Sequence, residues 1–256
     1  MSSSVLWSTG LALITLAFVF SPLERAFPAR EQKILRSEWH IDLVFFLGQY
    51  LVWGALITAA LDCVSGSLHP LLPASWIGLI SGQPWPVQAL EVLALSDLSI
   101  YWFHRLQHQV PWLWQFHAVH HTAEHLDWLA AHREHPLDGL ATQLVINLPA
   151  FLLGFSTSTL SLIIAFRGLW AIFIHSNVRI PLGPLRWIVG SPELHHWHHA
   201  KEGGDCNFAN LSPLMDLAFG TYKCPPTEPE RFGVQEPFPR SYFAQLCHPF
   251  KKLLSK

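Results

Sequence analysis

The stretch "LSDLSIYWFHRLQHQVPWLWQFHAVHH", residues 95–121, decides how this chain is read. It begins as an apolar segment and ends in five histidines, His104, His108, His117, His120 and His121; a second crowd, "HHWHH", follows at 195–199. Hydrophobic residues make up 50% of the 256 and charged ones 13%, against roughly 25% charged in ordinary soluble domains, and mean hydropathy is positive. This is the composition of a membrane protein. Sixteen Lys and Arg, spread along a chain of net charge −2, leave no basic footprint for nucleic acid. Cys63, Cys206, Cys224 and Cys247 lack CxxC spacing, so neither a disulfide framework nor a zinc ribbon is signalled.

The histidines have helical spacing. His104 and His108, four apart, stack one turn apart on a helix and can hold one ion between them. In "HAVHH", offsets of three and four place His117, His120 and His121 on one stripe. "HHWHH" repeats the pattern with His195, His198 and His199, while His196 is turned about 100° from His195 and is left out of the set. A lone HxxxH pair is ordinarily a surface or satisfied core pair; three clusters with matched faces read as metal ligands. A structural zinc closes at four ligands and a catalytic one at three plus water, so eight imidazoles imply two ions. Imidazole suits iron, zinc, copper and nickel alike. A site at the ends of hydrophobic spans faces lipid chains, however, and attack on an unactivated C–H bond there takes a redox metal and dioxygen, which favours iron over zinc.

Outward from this stretch, residues 5–20, 43–61 and 87–103 are apolar, the last containing Glu91 and Asp97. Residues 140–174 form an apolar run broken by Gly154 and "STST" and holding Arg167, which reads as a helical hairpin. Five crossings, or three plus a re-entrant hairpin, fit these lengths. A cleaved signal peptide is the rival reading of 5–20, against which stand the missing basic leader and small-residue cleavage site. Arg25, Arg30, Lys33 and Arg36 lie between the first two spans, whereas 63–86 has no Lys or Arg, so the former loop is expected in the cytoplasm. Threading onward brings every histidine cluster to that same face, beside the terminal "KKLLSK".

"HRLQH", "HAVHH" and "HHWHH" resemble the three histidine boxes of the fatty acid hydroxylase superfamily, the membrane di-iron group that includes sterol desaturases and sterol methyl oxidases. The likeness extends along "LSDLSIYWFHRLQHQVPWLWQFHAVHHTAEHLDWLAAHREHPLD" and into "NFANLSPLMDLAFGTY", covering Leu95 to Tyr222. Met215 stands where that tail usually has Trp, and Ala209 where Gly is common. The resemblance implies an all-α, polytopic membrane protein with about four or five membrane-inserted helices and a cytosol-facing helical cap holding two iron ions. The implied organisation is N-terminal transmembrane helices in 1–94, a di-iron domain in 95–222 including the 140–174 hairpin, and a cytoplasmic tail in 223–256. The implied ligands are His104, His108, His117, His120, His121, His195, His198 and His199, with His175 of "IHSN" as a ninth. His135, in "REHPLD", matches a family position where a structural role competes with ligation.

Asp97, seven residues before His104 and on the same helical face, is placed to accept an imidazole N–H and set its tautomer. Asp138, Asn177 and Asn207 are further candidates to orient ligands. Arg133 is expected either to meet a carboxylate or to be solvated, and Trp102, Trp112, Trp114 and Trp128 read as an interfacial belt. The expected chemistry is dioxygen-dependent hydroxylation or desaturation of a lipid: sterol, fatty acyl chain, carotenoid or ether lipid. No GxGxxG follows a strand and no ferredoxin cysteine pattern is present, so electrons come from an external protein, cytochrome b5-like or a ferredoxin with its reductase. The membrane is the inner or plasma membrane if the source is bacterial, the endoplasmic reticulum if eukaryotic. Two rival classes are a metal transporter, which would place histidines at mid-bilayer, and a zinc-dependent hydrolase, for which neither Glu134 nor Glu193 forms HExxH.

Overall fold

The structure is a computed structural model and describes residues 3–155 and 157–254. Among these residues there is no strand, only two isolated bridges, Pro28 with Val178 and Ala200 with Phe232. Three helices are long and apolar enough to cross a membrane. The first is α1 (Ser3–Ala26), whose Trp7, Leu11, Ile14 and Phe18 face outward. The second is the continuous helix Trp39–Leu71, in which α2 (Trp39–Gly48) passes through a π-helical turn at Gln49–Trp53 into α3 (Gly54–Leu68). The third is α7 (Pro136–Leu153).

The expected hairpin is α7 followed by the shorter apolar helix α8 (Thr157–His175). Gly154 ends α7 in the left-handed conformation, φ 79°, which a glycine adopts without steric cost. The short α4 (Ala74–Ser81) precedes α5 (Trp85–Gln109), which takes in the expected 87–103 segment. With Gln88, Ser96, Asp97 and Gln107 buried among its neighbours, α5 is not one of the helices apolar enough to cross unaided. It runs through the centre of the bundle instead, against α7 and α8.

The cap begins with α6 (Pro111–His121) and continues through α9 (Pro192–His198), α10 (Leu214–Ala218) and α11 (Tyr242–Leu254). Proline occupies the first turn of α6, α7 and α9, where its missing N–H costs nothing. Gly190 packs so close to the Asn210 carbonyl that a Cβ there would collide with it, which lets the 207–212 tail lie against the entry to α9. Two apolar clusters hold the two ends. Val92, Ala150, Phe151, Leu160 and Ile163 join α5, α7 and α8, while Leu16, Phe20, Phe46, Trp128, Leu129 and Ile172 join α1, α2 and α8 to the cap.

A buried ion network binds the cap to the second span. Arg36 donates two hydrogen bonds to the Asp127 carboxylate and one to Asp42. Arg133, fully buried, donates to the other oxygen of Asp42 and to Glu38. The loop counted as a basic flank therefore lies at the same end of the bundle as the histidines, with Arg36 spent on carboxylates. Since Asp42 sits between two guanidiniums with no exposure of its own, Asp42→Ala is expected to destabilise the fold by about 3–5 kcal/mol. Thermal unfolding of the purified protein measures this; an unchanged midpoint would show that the network is not structural.

Candidate metal centre

The C-terminal ends of four helices converge on one spot. α5 delivers His104 and His108, α6 delivers His117, His120 and His121, α8 ends at His175, and α9 delivers His195 and His198 with His199 one residue beyond. The break between α5 and α6 is at Val110, extended and followed by Pro111, which turns the chain so that the two histidine pairs face each other. Helix C-termini carry partial negative charge, so a point where four meet is a favourable place for cations.

The nine side chains form two groups whose candidate ligand nitrogens lie within 4.8 Å of one another: His104, His108, His117, His121 and His198 in one, His120, His175, His195 and His199 in the other. The groups abut, the His121 ring stacking on His199 with centroids 4.3 Å apart. The second and third boxes are divided between the groups, while "HRLQH" stays whole. Residues four apart stay together (His104 with His108, His117 with His121, His195 with His199), whereas His120 and His198, three along from His117 and His195, cross to the other group. The expected single stripe overlooked that neighbours such as His120 and His121 differ by about 100° on a helix, the same angle that set His196 aside.

Hydrogen bonds on the outer side fix six of the tautomers. The Nδ1–H groups of His104, His120, His175 and His198 donate to the carbonyls of Phe208, Arg133, Ala171 and Cys206. Those of His117 and His108 donate to the carboxylates of Asp138 and Asp205. Each Nε2 is thereby left with a lone pair directed inward. Across the first group the Nε2 atoms of His104 and His117 are 3.0 Å apart, and across the second those of His120 and His175 are 2.9 Å apart. Neither pair has a proton to share. Two ligands about 2.1 Å from one ion are separated by about 3.0–3.4 Å, so both contacts are of the length that a shared ion would require. His108 Nε2 and His198 Nε2, buried without a hydrogen-bond partner among the described residues, are further inward nitrogens. His195 and His199 turn their Nε2 atoms to the second group, that of His195 lying 3.0 Å from His175 Nε2 and 3.1 Å from His199 Nε2.

Burial, and after it the neighbouring imidazoles, holds His117, His121, His195, His198 and His199 well below the ordinary histidine pKa, in the neutral form that metals need. Glu134, also buried and close to Asp138, is pushed up to about 8. A cavity of about 440 Å³ bounded by α5, α7 and α8 reaches His104, His117, His120, His175 and His195. A second, of about 540 Å³, opens on the other side at His108, His121 and His198, lined by Lys201, Asp205, Glu236 and Lys252.

Three expected positions serve elsewhere. His135 caps α7, its Nδ1 accepting from the Leu137 N–H, while its Nε2 is hydrogen-bonded to the Leu246 carbonyl, so it lies outside both groups. Asp97 accepts the backbone N–H groups of Leu211 and Ser212 rather than an imidazole. Asn177 pairs with the backbone of Arg30 and joins the loop after α1 to the end of α8. Asp138 accepts from His117, a member of the first group, and is itself held by Gln107. Asn207 ties the Leu194 carbonyl of α9 to Lys223. His196 bonds Glu228 and the Ser176 carbonyl, away from the cage. Of the four tryptophans, Trp102 and Trp112 are exposed, Trp128 is in the core, and Trp114 packs against His108 and His121. The backbone carbonyls and Asp205 that fix the tautomers were missed, because no local pattern announces them.

Two outcomes follow. Asp138→Ala removes the acceptor that orients His117 and is expected to lower metal affinity about 10- to 100-fold, read as metal retained after dialysis against a graded chelator; full retention would count against an orienting role. In the metal-free protein the folded histidines stay neutral, whereas the unfolded ones take up protons below about pH 6.5. Stability is therefore fully present above that value and falls as pH drops through it. A flat melting temperature between about pH 7.5 and 5.5 would contradict burial of the uncharged rings.

Comparison with known proteins agrees with this geometry. Residues 89–221, just over half of the chain, match the fatty acid hydroxylase family. The ornithine lipid hydroxylase OlsE of Rhizobium tropici is 28% identical over 97% of this chain and 76% of its own length. The alkylglycerol monooxygenase of Xenopus tropicalis is 31% identical over 55% of this chain and 31% of its own. A Delta(7)-sterol 5(6)-desaturase of Gibberella zeae is 28% identical over 52% of this chain and 37% of its own. The chain thus spans about a third of the length of the latter two. No solved structure matches significantly. By the family match, and with three membrane-spanning candidates beside two histidine groups, this chain is an integral membrane member of the fatty acid hydroxylase family.

Proposed function

We propose that this protein is a membrane oxygenase in which the nine histidines hold two iron ions and a polar membrane lipid is hydroxylated with dioxygen and externally supplied electrons. The observation that carries the reading is the pair of buried all-imidazole groups, five and four strong, with their inward nitrogens within 4.8 Å. Structural zinc sites close at four ligands and catalytic ones at three plus water, whereas the first group offers five imidazoles. Bound iron would supply the oxidising power needed to attack a C–H bond. The relatives support a lipid substrate, and alignment over 97% of this chain with a lipid hydroxylase, against 52% with a sterol desaturase, favours hydroxylation over desaturation.

The protein's part is positioning and exclusion. The 440 Å³ cavity, walled by Ile100, Ile146, Leu169 and Ile172 next to polar groups, presents a section of lipid to five of the nine imidazoles. The cavity on the opposite side, with Lys201 and Lys252 at its edge, is the approach for an electron-transfer protein. The loop 27–38, which carries Arg30, Lys33 and Arg36, packs on the cap through Gln32 and Arg36, consistent with a cytoplasmic active site.

Protein purified in lipid nanodiscs is expected to carry two equivalents of iron and to hydroxylate a membrane lipid when given a reductant. His120→Ala should lose the second ion and abolish turnover. Two irons and full turnover in that variant, or a zinc-only protein with undiminished activity, would overturn the reading.

A further inference from the structure

Arg167 lies in α8 eight residues before His175, about 12 Å back along the helix axis, and lines the same cavity as the cage histidines. A guanidinium among membrane helices is costly and ordinarily has a charged partner or a function. Here the protein contacts are neutral: Nη1 donates to Ser96 Oγ at 3.2 Å and to Asn147 Oδ1 at 3.4 Å. Among the described residues no carboxylate comes within ion-pair distance of it. Asp97 lines the cavity too and its charge reaches the guanidinium, but it stands beyond ion-pair distance and is turned to the N–H groups of Leu211 and Ser212. Asn147 is itself fixed by Gln143, through that residue's carbonyl and side-chain amide. Two neighbouring helices, α5 through Ser96 and α7 through Asn147, thus hold one nitrogen of the guanidinium in place. Arg167 is also the one Lys or Arg among the residues lining this cavity.

A cavity built only for hydrocarbon has no use for a fixed cation, and a planar guanidinium with free N–H groups matches a carboxylate or phosphate. We infer that Arg167 is the docking point for an anionic group, carboxylate or phosphate, on the headgroup of the lipid substrate. The inference rests on the reading of this cavity as the substrate site. It makes Arg167 a specificity-determining residue that selects acidic or zwitterionic lipids over neutral ones.

The test is equilibrium binding to the metal-loaded protein in uncharged dodecyl maltoside micelles, followed by intrinsic tryptophan fluorescence, with N-dodecanoylglycine, dodecyl phosphate and uncharged 1-O-dodecylglycerol as probes. At least one anionic probe should bind about tenfold or more tighter than the neutral ether, the margin of a charge-assisted hydrogen bond. Whichever anion shows it identifies the group recognised. Arg167→Gln, which can still donate to Ser96 and Asn147, should erase that margin while leaving neutral-lipid binding, metal content and melting temperature unchanged. Arg167→Lys should retain part of it. Equal binding of all three probes by the wild type, undiminished anion binding in the Gln variant, or equal loss for all three probes would each overturn the inference. No turnover enters the measurement, so failure of the oxygenase reading would appear separately, in the metal and product assays.

Discussion

Nine imidazoles can share one small volume only if none is protonated and every inward nitrogen has a cation to face. Most of the cap serves that condition. The segment 205–208 provides the Asp205 carboxylate and the carbonyls of Cys206 and Phe208, which hold the protons of three ligands on their outer sides. Arg133 and Ala171 contribute carbonyls, and Asp138 a carboxylate, for three more. Elements that look like irregular connection between helices are in this sense a rack of acceptors, and their placement decides which nitrogen of each ring is free.

Arg133 shows how stability and site are joined. Its side chain is locked between Asp42 and Glu38 at the end of the second span, while its own carbonyl receives the His120 proton. The membrane helix, the cap and one ligand are thus referenced to a single residue. Arg36 closes the same network from the preceding loop through Asp127, whose side chain also accepts the backbone N–H groups of Leu129 and Ala130. The cost of burying these charges is met by pairing each with an opposite charge, which leaves little freedom for the cap to drift relative to the bundle.

Much of this was readable from residues 95–121 and 195–199. Helical spacing pointed to the histidines, Gly154 to the hairpin, and apolar runs to the spans. What could not be read depended on partners distant in the chain. Asp97 had the correct offset from His104, yet the backbone at 211–212 reaches it first. His135 and Asn177 are likewise engaged by residues more than a hundred positions away. Arg36 was counted as a topological charge because nothing local reveals its bonds to Asp127 and Asp42. The division of the second and third boxes between two groups was different in kind, since the helical angle between adjacent residues contained it.

That division ties the two metal positions together mechanically. α6 and α9 each give ligands to both groups, so a small rotation of either helix moves both coordination sets at once. An ion seated in one group would therefore also steady the helix faces that build the other. The centre is one pocket with two compartments, and a disturbance of either helix reaches both.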